Sequence, residues 1–202
     1  MKLSTGWIVA ISIFGIVFFL VLIGVLTGMS TYNNLVSKEE TVNQSWANVQ
    51  NVYQRRSDLI PNLVATVKGV ANFEKSTLTA VIEARAKATS VNINPKNLYE
   101  ASLQKFQAAQ DGLSSALSRL MVVVERYPEL KATQNFAELQ AQLEGTENRI
   151  TVERRNFNEA AQAYNTYLRR FPNSIFAGMF GFQKKAYFAA QKVAENAPKV
   201  EF

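Results

Sequence analysis

The side chains best equipped for chemistry gather in two short stretches, Gln54-Arg55-Arg56-Ser57-Asp58 and Glu144-Gly145-Thr146-Glu147-Asn148-Arg149. Two carboxylates held at a fixed separation can divide the work of general acid and general base, and a nearby guanidinium can tune them or hold an anion. On two antiparallel helices, Arg56 and Asp58 would meet Glu147 and Arg149, with Glu144 one turn away. The functional reading of that meeting is a hydrolase-like or accessory site using Asp58, Glu144 and Glu147. The structural reading is a buried polar layer of Arg56, Asp58, Glu144, Glu147 and Arg149 that fixes the register between helices.

Composition favours the layer. The 202 residues include no Cys and no His, which removes disulfides, thiolate nucleophiles, Ser-His triads and the usual zinc and iron–sulfur ligand sets. No glycine-rich phosphate loop accompanies the cluster. The sequence therefore points to no catalytic residue, no metal and no cofactor. Basic pairs at Arg55-Arg56, Arg154-Arg155, Arg169-Arg170 and Lys184-Lys185 sit in a chain whose net charge of +6 is spread evenly. Nucleic-acid binding needs such residues on one strongly basic face, so solvated helix faces are the better reading. A third cluster, Phe176, Phe180, Phe182 and Phe188 with Lys184 and Lys185, admits three roles. The favoured one is a lid over the open end of a helical bundle; the others are an interfacial membrane segment and a contact between subunits.

The elements that must position these residues are helices. Five Pro and nine Gly leave few turns, and the dominant Ala, Gln, Glu, Leu and Arg favour helix over sheet. No charge falls between Lys2 and Lys38. Inside that gap, the run from Trp7 to Leu26 supplies about 20 apolar residues, enough at about 1.5 Å each to cross a bilayer core of about 30 Å. A cleaved signal peptide would have an apolar region of only about 7–15 residues and an A-x-A-like site; this run is longer and ends in Thr27-Gly28-Met29-Ser30. Lys2 and the terminal amine on one flank, against Lys38 offset by Glu39 and Glu40 on the other, place the N-terminus in the cytoplasm and the bulk of the chain outside, in the periplasm. Gly24-x-x-x-Gly28 fits close helix approach, although chance explains one such spacing as well.

Beyond the anchor, apolar positions step by four and three. The first stripe is Val42, Trp46, Val49, Tyr53, Arg56, Ile60, Leu63, Val67 and Val70, within a helical pattern over 32–88 that Pro61 interrupts. The second runs from Tyr99 through Phe106, Gln110 and Leu117 to Tyr127, and the third from Leu139 through Thr146, Ile150 and Phe157 to Leu168. Asn97-x-x-Glu100 and Asn135-x-x-Glu138 read as capping boxes, and a last short helix is expected over 180–194. Gly69 and Gly145, inside helical patterns, imply either close packing or a local break. The expected fold is all-α: a transmembrane helix over 1–30, then an elongated antiparallel bundle of long helices over 31–202 with a short C-terminal helix.

With these segments in place, the chain resembles the LemA family of bacterial membrane proteins. The resemblance is carried by Tyr32-Asn33-Asn34-Leu35-Val36, by 45–74 (opening SWANVQNVYQRRSDLIPNLV), by 83–88, 117–160 and 164–182 (closing RFPNSIFAGMFGF), and by 198–202. It implies an anchored helical bundle at the inner membrane of a bacterium and a TPM-domain membrane protein as partner, and it supplies no active site. The function expected is a non-enzymatic scaffold of the envelope, in contact with the lipid bilayer and self-assembling as a closed homo-oligomer.

Overall fold

A computed structural model describes residues 5–70 and 73–189, and among the described residues the chain is all-α, without a strand. Its helices are α1 (Thr5–Lys68), α2 (Lys75–Ser90), α3 (Glu100–Val124), α4 (Pro128–Lys131), α5 (Gln134–Arg169) and α6 (Asn173–Met179), with a 3-10 turn at Pro95–Asn97. α1 is one helix of 64 residues. Its first part is apolar on all sides and exposes Phe14, Phe18, Leu20 and Leu22, a surface suited to lipid rather than water. By length and composition it can cross a membrane. From Thr31 onward the helix becomes one-sided: Thr31, Leu35, Val42, Trp46, Val49, Tyr53, Arg56, Ile60, Leu63 and Val67 are all buried.

Pro61 does not interrupt the helix as its chemistry suggests; α1 continues past it to Lys68, and the break comes at Gly69. A proline lacks the N–H that would bond to the carbonyl four residues back, here that of Ser57. That carbonyl instead accepts a hydrogen bond from Arg85 Nε of α2 at 2.9 Å. The ring is tolerated because it points to the exposed side of α1. Gly69 carries the larger backbone entropy of glycine, and the chain leaves the helix there. Gly145 stays inside α5, with nothing within 4 Å of where a Cβ would stand.

The chain divides into two compact units, Met1–Thr41 with Ala163–Lys184, and Val42–Gln162 with Lys185–Phe202. The end of α5 joins α6 in the first unit. In the second unit, the partners of α1 between Trp46 and Arg56 rise on α3 from Phe106 to Ser114 and fall on α5 from Phe157 to Glu147. On the α2 side they also fall, from the loop residue Ile93 at Trp46 to Arg85 at Ser57. The order is up, down, up, down, a four-helix bundle whose fourth member arises from the break at Gly69. Ile60, Leu63, Val67, Leu78, Val81, Leu113, Leu120 and Leu143 form one half of its core. Trp46, Tyr53, Phe106 and Phe157 form an aromatic half, with ring centroids 5.1–5.7 Å apart in edge-to-face pairs.

Neither expected capping box forms. Asn97 lies in the 3-10 turn and Tyr99 stands at the N-cap of α3 without a side-chain cap bond; the Ser102 hydroxyl donates instead to the carbonyls of Asn97 and Tyr99. α5 starts one residue before Asn135, and Thr133 Oγ1 accepts from the Phe136 N–H at 3.4 Å, so the threonine already in the sequence takes the cap. The short C-terminal helix lies at Asn173–Met179 rather than 180–194. Gly181, at φ 75°, ends it, and the Phe182 N–H bonds back to the Ala177 carbonyl at 3.0 Å, a Schellman-type close. Residues 182–189 run on without helix; 190–194 lie outside the described residues.

Candidate functional site

Arg56 is the centre of the polar layer. It is a stripe position on α1, so helical periodicity carries it inward, where it is 1% exposed. Nη1 donates to Ser114 Oγ at 2.8 Å and to Glu147 Oε1 at 2.5 Å, and Nη2 donates to Gln110 Oε1 at 2.6 Å and the Gln110 carbonyl at 3.3 Å. Gln110 in turn donates from Nε2 to the Ala88 carbonyl at 3.2 Å. One guanidinium thus ties α1 to α3 and α5 directly, and to α2 through a glutamine. Nε alone is without a partner, and the guanidinium carbon lies 5.0 Å from the centre of the Tyr53 ring. Burial pushes the Tyr53 phenol up from its ordinary value, against the opposing pull of Arg154 and Arg56.

Of the five residues expected in the layer, Arg56 and Glu147 meet. Asp58, Glu144 and Arg149 do not: all three are exposed. Asp58 lies two residues from Arg56, about 200° around the helix, and so faces out; it accepts from Gln54 at 2.7 Å. Glu144 accepts from Gln140 at 2.9 Å. The layer recruits Gln110 and Ser114 instead. Gln110 had left a signal, a polar residue in an otherwise apolar stripe; Ser114 had left none.

Glu144 and Glu147 share an open groove of about 640 Å³ between α3 and α5, with Ser114, Ser118, Met121 and Asn148. Its polar groups are engaged locally: Ser114 receives Arg56, and Ser118 Oγ donates to the Ser114 carbonyl at 2.9 Å. Asp58 does not line it, so the three carboxylates of the hydrolase-like reading do not converge. Among the described residues no group of three potential metal ligands comes together.

The aromatic C-terminal cluster is split between the two units. In the second, Lys185 and Phe188 are buried. Phe188 stacks on Trp46 at 6.1 Å and meets Phe157 edge-on at 5.4 Å. Asn158 of α5 holds its backbone on both sides, accepting from the Phe188 N–H at 2.9 Å and donating to its carbonyl at 3.1 Å, while Arg154 donates to the Ala189 carbonyl at 2.8 Å. Residues 185–189 are therefore a strap packed on the aromatic core. In the first unit, Phe176 lies against Gly28, where a Cβ would stand 3.0 Å from its ring. Thr31 Oγ1 donates to Asn173 Oδ1 at 3.2 Å, and the Tyr32 ring contacts Phe180 and Phe182 at 5.1 and 5.7 Å. Lys184 is exposed. Tyr164 is fully buried and donates to the Gln183 carbonyl at 3.1 Å; burial raises its phenol above the ordinary value.

The sequence pattern of the LemA family matches residues 45–202. Two relatives from Paramagnetospirillum magneticum named magnetosome protein MamQ are 27% identical over 191 residues, covering 86% of this chain and 70% of theirs. A protein named LemA from Metamycoplasma hominis is 22% identical over 182 residues, covering 89% of this chain and 80% of its own. None of these names states an enzymatic activity.

Proposed function

From a chain that belongs to the LemA family, we propose a membrane-anchored, non-enzymatic scaffold that presents a braced helical bundle at the bacterial envelope and self-assembles there. The observation that carries this reading is the use made of Arg56. A buried guanidinium is the group most able to bind an anion or tune an acid, and here four of its hydrogen bonds are spent holding helices together. Asp58 faces away from it, and Glu144 is bonded to Gln140. The first part of α1 supplies the anchor, and the flanking charges of Lys2, Lys38, Glu39 and Glu40 favour a cytoplasmic N-terminus with the bundle outside.

Because the chain has no Cys, single-cysteine variants test both parts. Val122→Cys, on an exposed position of α3, is expected to yield self-crosslinks in native membranes, and the detergent-solubilised protein to run larger than one chain. A strict monomer without self-crosslinks would overturn self-assembly. Val152→Cys is expected to react with a membrane-impermeant maleimide in spheroplasts; protection until lysis would reverse the orientation.

A further inference from the structure

We propose that residues 171–182 form a hook whose tip is seated in the lipid leaflet beside the anchor. The proposal rests on the reading of α1 as membrane-spanning. Positions along α1 serve as a depth scale, at about 1.5 Å per residue from Leu26, where the apolar run ends. Asn173, at the start of α6, meets Thr31, about 7 Å on the water side of that end. Phe176, one turn on, meets Gly28, about 3 Å beyond it. Met179 lines a groove of about 630 Å³ that runs along α1 from Asn33 and Gly28 to Val21, and Val21 lies about 7 Å inside the run; Phe180 already turns back against Tyr32. After the left-handed turn at Gly181, Phe182 is back at the level of Tyr32. The segment descends and returns.

What it carries suits that path. Ile175 and Met179 share a face of α6 and are 54% and 74% exposed, and Phe171, just ahead of the helix, is 82% exposed, apolar surface that water would oppose by roughly 25 cal/mol per Å². Exposed Arg169, Arg170 and Lys184 flank it at both ends, the arrangement of an interfacial segment with apolar side chains in the acyl boundary and cations among phosphates. The groove wall beside Met179 belongs to a part of α1 that is itself exposed, so acyl chains reach both. The occupant is the bilayer.

The test uses the full chain reconstituted in phosphatidylethanolamine–phosphatidylglycerol vesicles, with a nitroxide on a single cysteine and collision rates measured against oxygen and a water-soluble nickel chelate. Phe18→Cys reports the anchor and Val152→Cys the aqueous reference. Met179→Cys and Ile175→Cys, both at exposed positions that tolerate a label, are expected to give oxygen-to-nickel ratios several-fold above Val152→Cys, with Met179→Cys approaching Phe18→Cys. Ratios like that of Val152→Cys, with Phe18→Cys still in lipid, would overturn the hook and leave the anchor standing. Shielding of Met179→Cys from both reagents would overturn it in favour of a protein contact. A nickel-accessible Phe18→Cys would remove the anchor and the hook together.

Discussion

Arg56→Ala is expected to destabilise the bundle more than any other single polar substitution. It strands Gln110 Oε1 in the interior and removes the guanidinium's bonds to the Gln110 carbonyl, which keeps its helical bond, and to the half-buried Ser114 Oγ. Glu147 is different: its side chain is 43% exposed, so water replaces the lost partner and that contact contributes at most about 1 kcal/mol, as exposed ion pairs do. Hydrogen bonds from a charged donor to the remaining groups contribute about 1.5–3 kcal/mol each and do not add. Relief from burying the guanidinium offsets part of the loss, leaving a net of about 3–5 kcal/mol. At about 2–4 °C per kcal/mol for a domain of this size, Tm falls by about 6–20 °C. Arg56→Met, which keeps the stem and removes the charge, is expected to lose less, and Glu147→Gln about 1 kcal/mol or less. Far-UV circular dichroism melts of the full chain in detergent give the ranking. If Glu147→Gln costs as much as Arg56→Ala, the ion pair holds the layer and the reasoning from Gln110 and Ser114 fails. A fall below about 2 °C for Arg56→Ala, less than one ordinary hydrogen bond, would refute it altogether.

Arg85→Met is expected to cost about 1.5–3 kcal/mol with Pro61 present, because it leaves the Ser57 carbonyl bare. In the Pro61→Ala background, where a helical N–H is restored, the cost should fall by at least about 1 kcal/mol in a double-mutant cycle; strict additivity would break the link. Asn158→Ala removes both bonds to Phe188 and is expected to raise amide exchange across 185–189 more than tenfold, equivalent to about 1.4 kcal/mol, and unchanged protection would count against the clamp. Gly28→Leu should displace Phe176 and lower thermal stability while Gly24→Ala, with open space around it, does not; equal effects would contradict the close approach. Tyr53 and Tyr164 have raised phenol values in the folded state, so their stabilisation is complete below pH 10 and is lost as pH rises toward the folded values. Tyr164→Phe should make stability less dependent on pH above 10, and a tyrosinate absorbance near pH 11 that is lower in the folded variant than in the folded wild type would deny the burial.

The stripes were legible because they rest on periodicity alone: each apolar position from Val42 to Val67 is buried. The long apolar helix at the start of α1 was legible from length and the absence of charge. What could not be read were features set by tertiary partners. Pro61 looked like an interruption because its cost is local, whereas its compensation, Arg85, comes from another helix. Asp58 looked like a member of the layer because it is close in sequence to Arg56, but two residues on it faces the other side of the helix; Glu144 shares a face with Glu147 yet stays exposed and bonds to Gln140. The C-terminal aromatics resembled one helix in composition, yet Gly181 and the backbone clamp of Asn158 divide them between a hook and a strap.

That division bears on how copies of this chain could associate. Heptad-like stripes ordinarily suggest a coiled coil between chains, but here they are consumed inside the second unit, where Val42 to Val67 pack on α2, α3 and α5. Among the described residues, these helices keep only scattered exposed apolar side chains such as Ile82, Val122 and Val152. Among the described residues, the large apolar side chains most exposed in the first unit are those of the first part of α1 with Phe171, Ile175 and Met179. Lipid and a second copy therefore compete for the same side chains, and the label at Met179 distinguishes them. If it reports lipid, self-assembly must use the polar outer faces of the bundle, and its strength should fall with added salt as screened surface contacts do. If it reports protein, assembly is an event within the membrane, insensitive to salt and dependent on the close approach that the open surface at Gly24 allows.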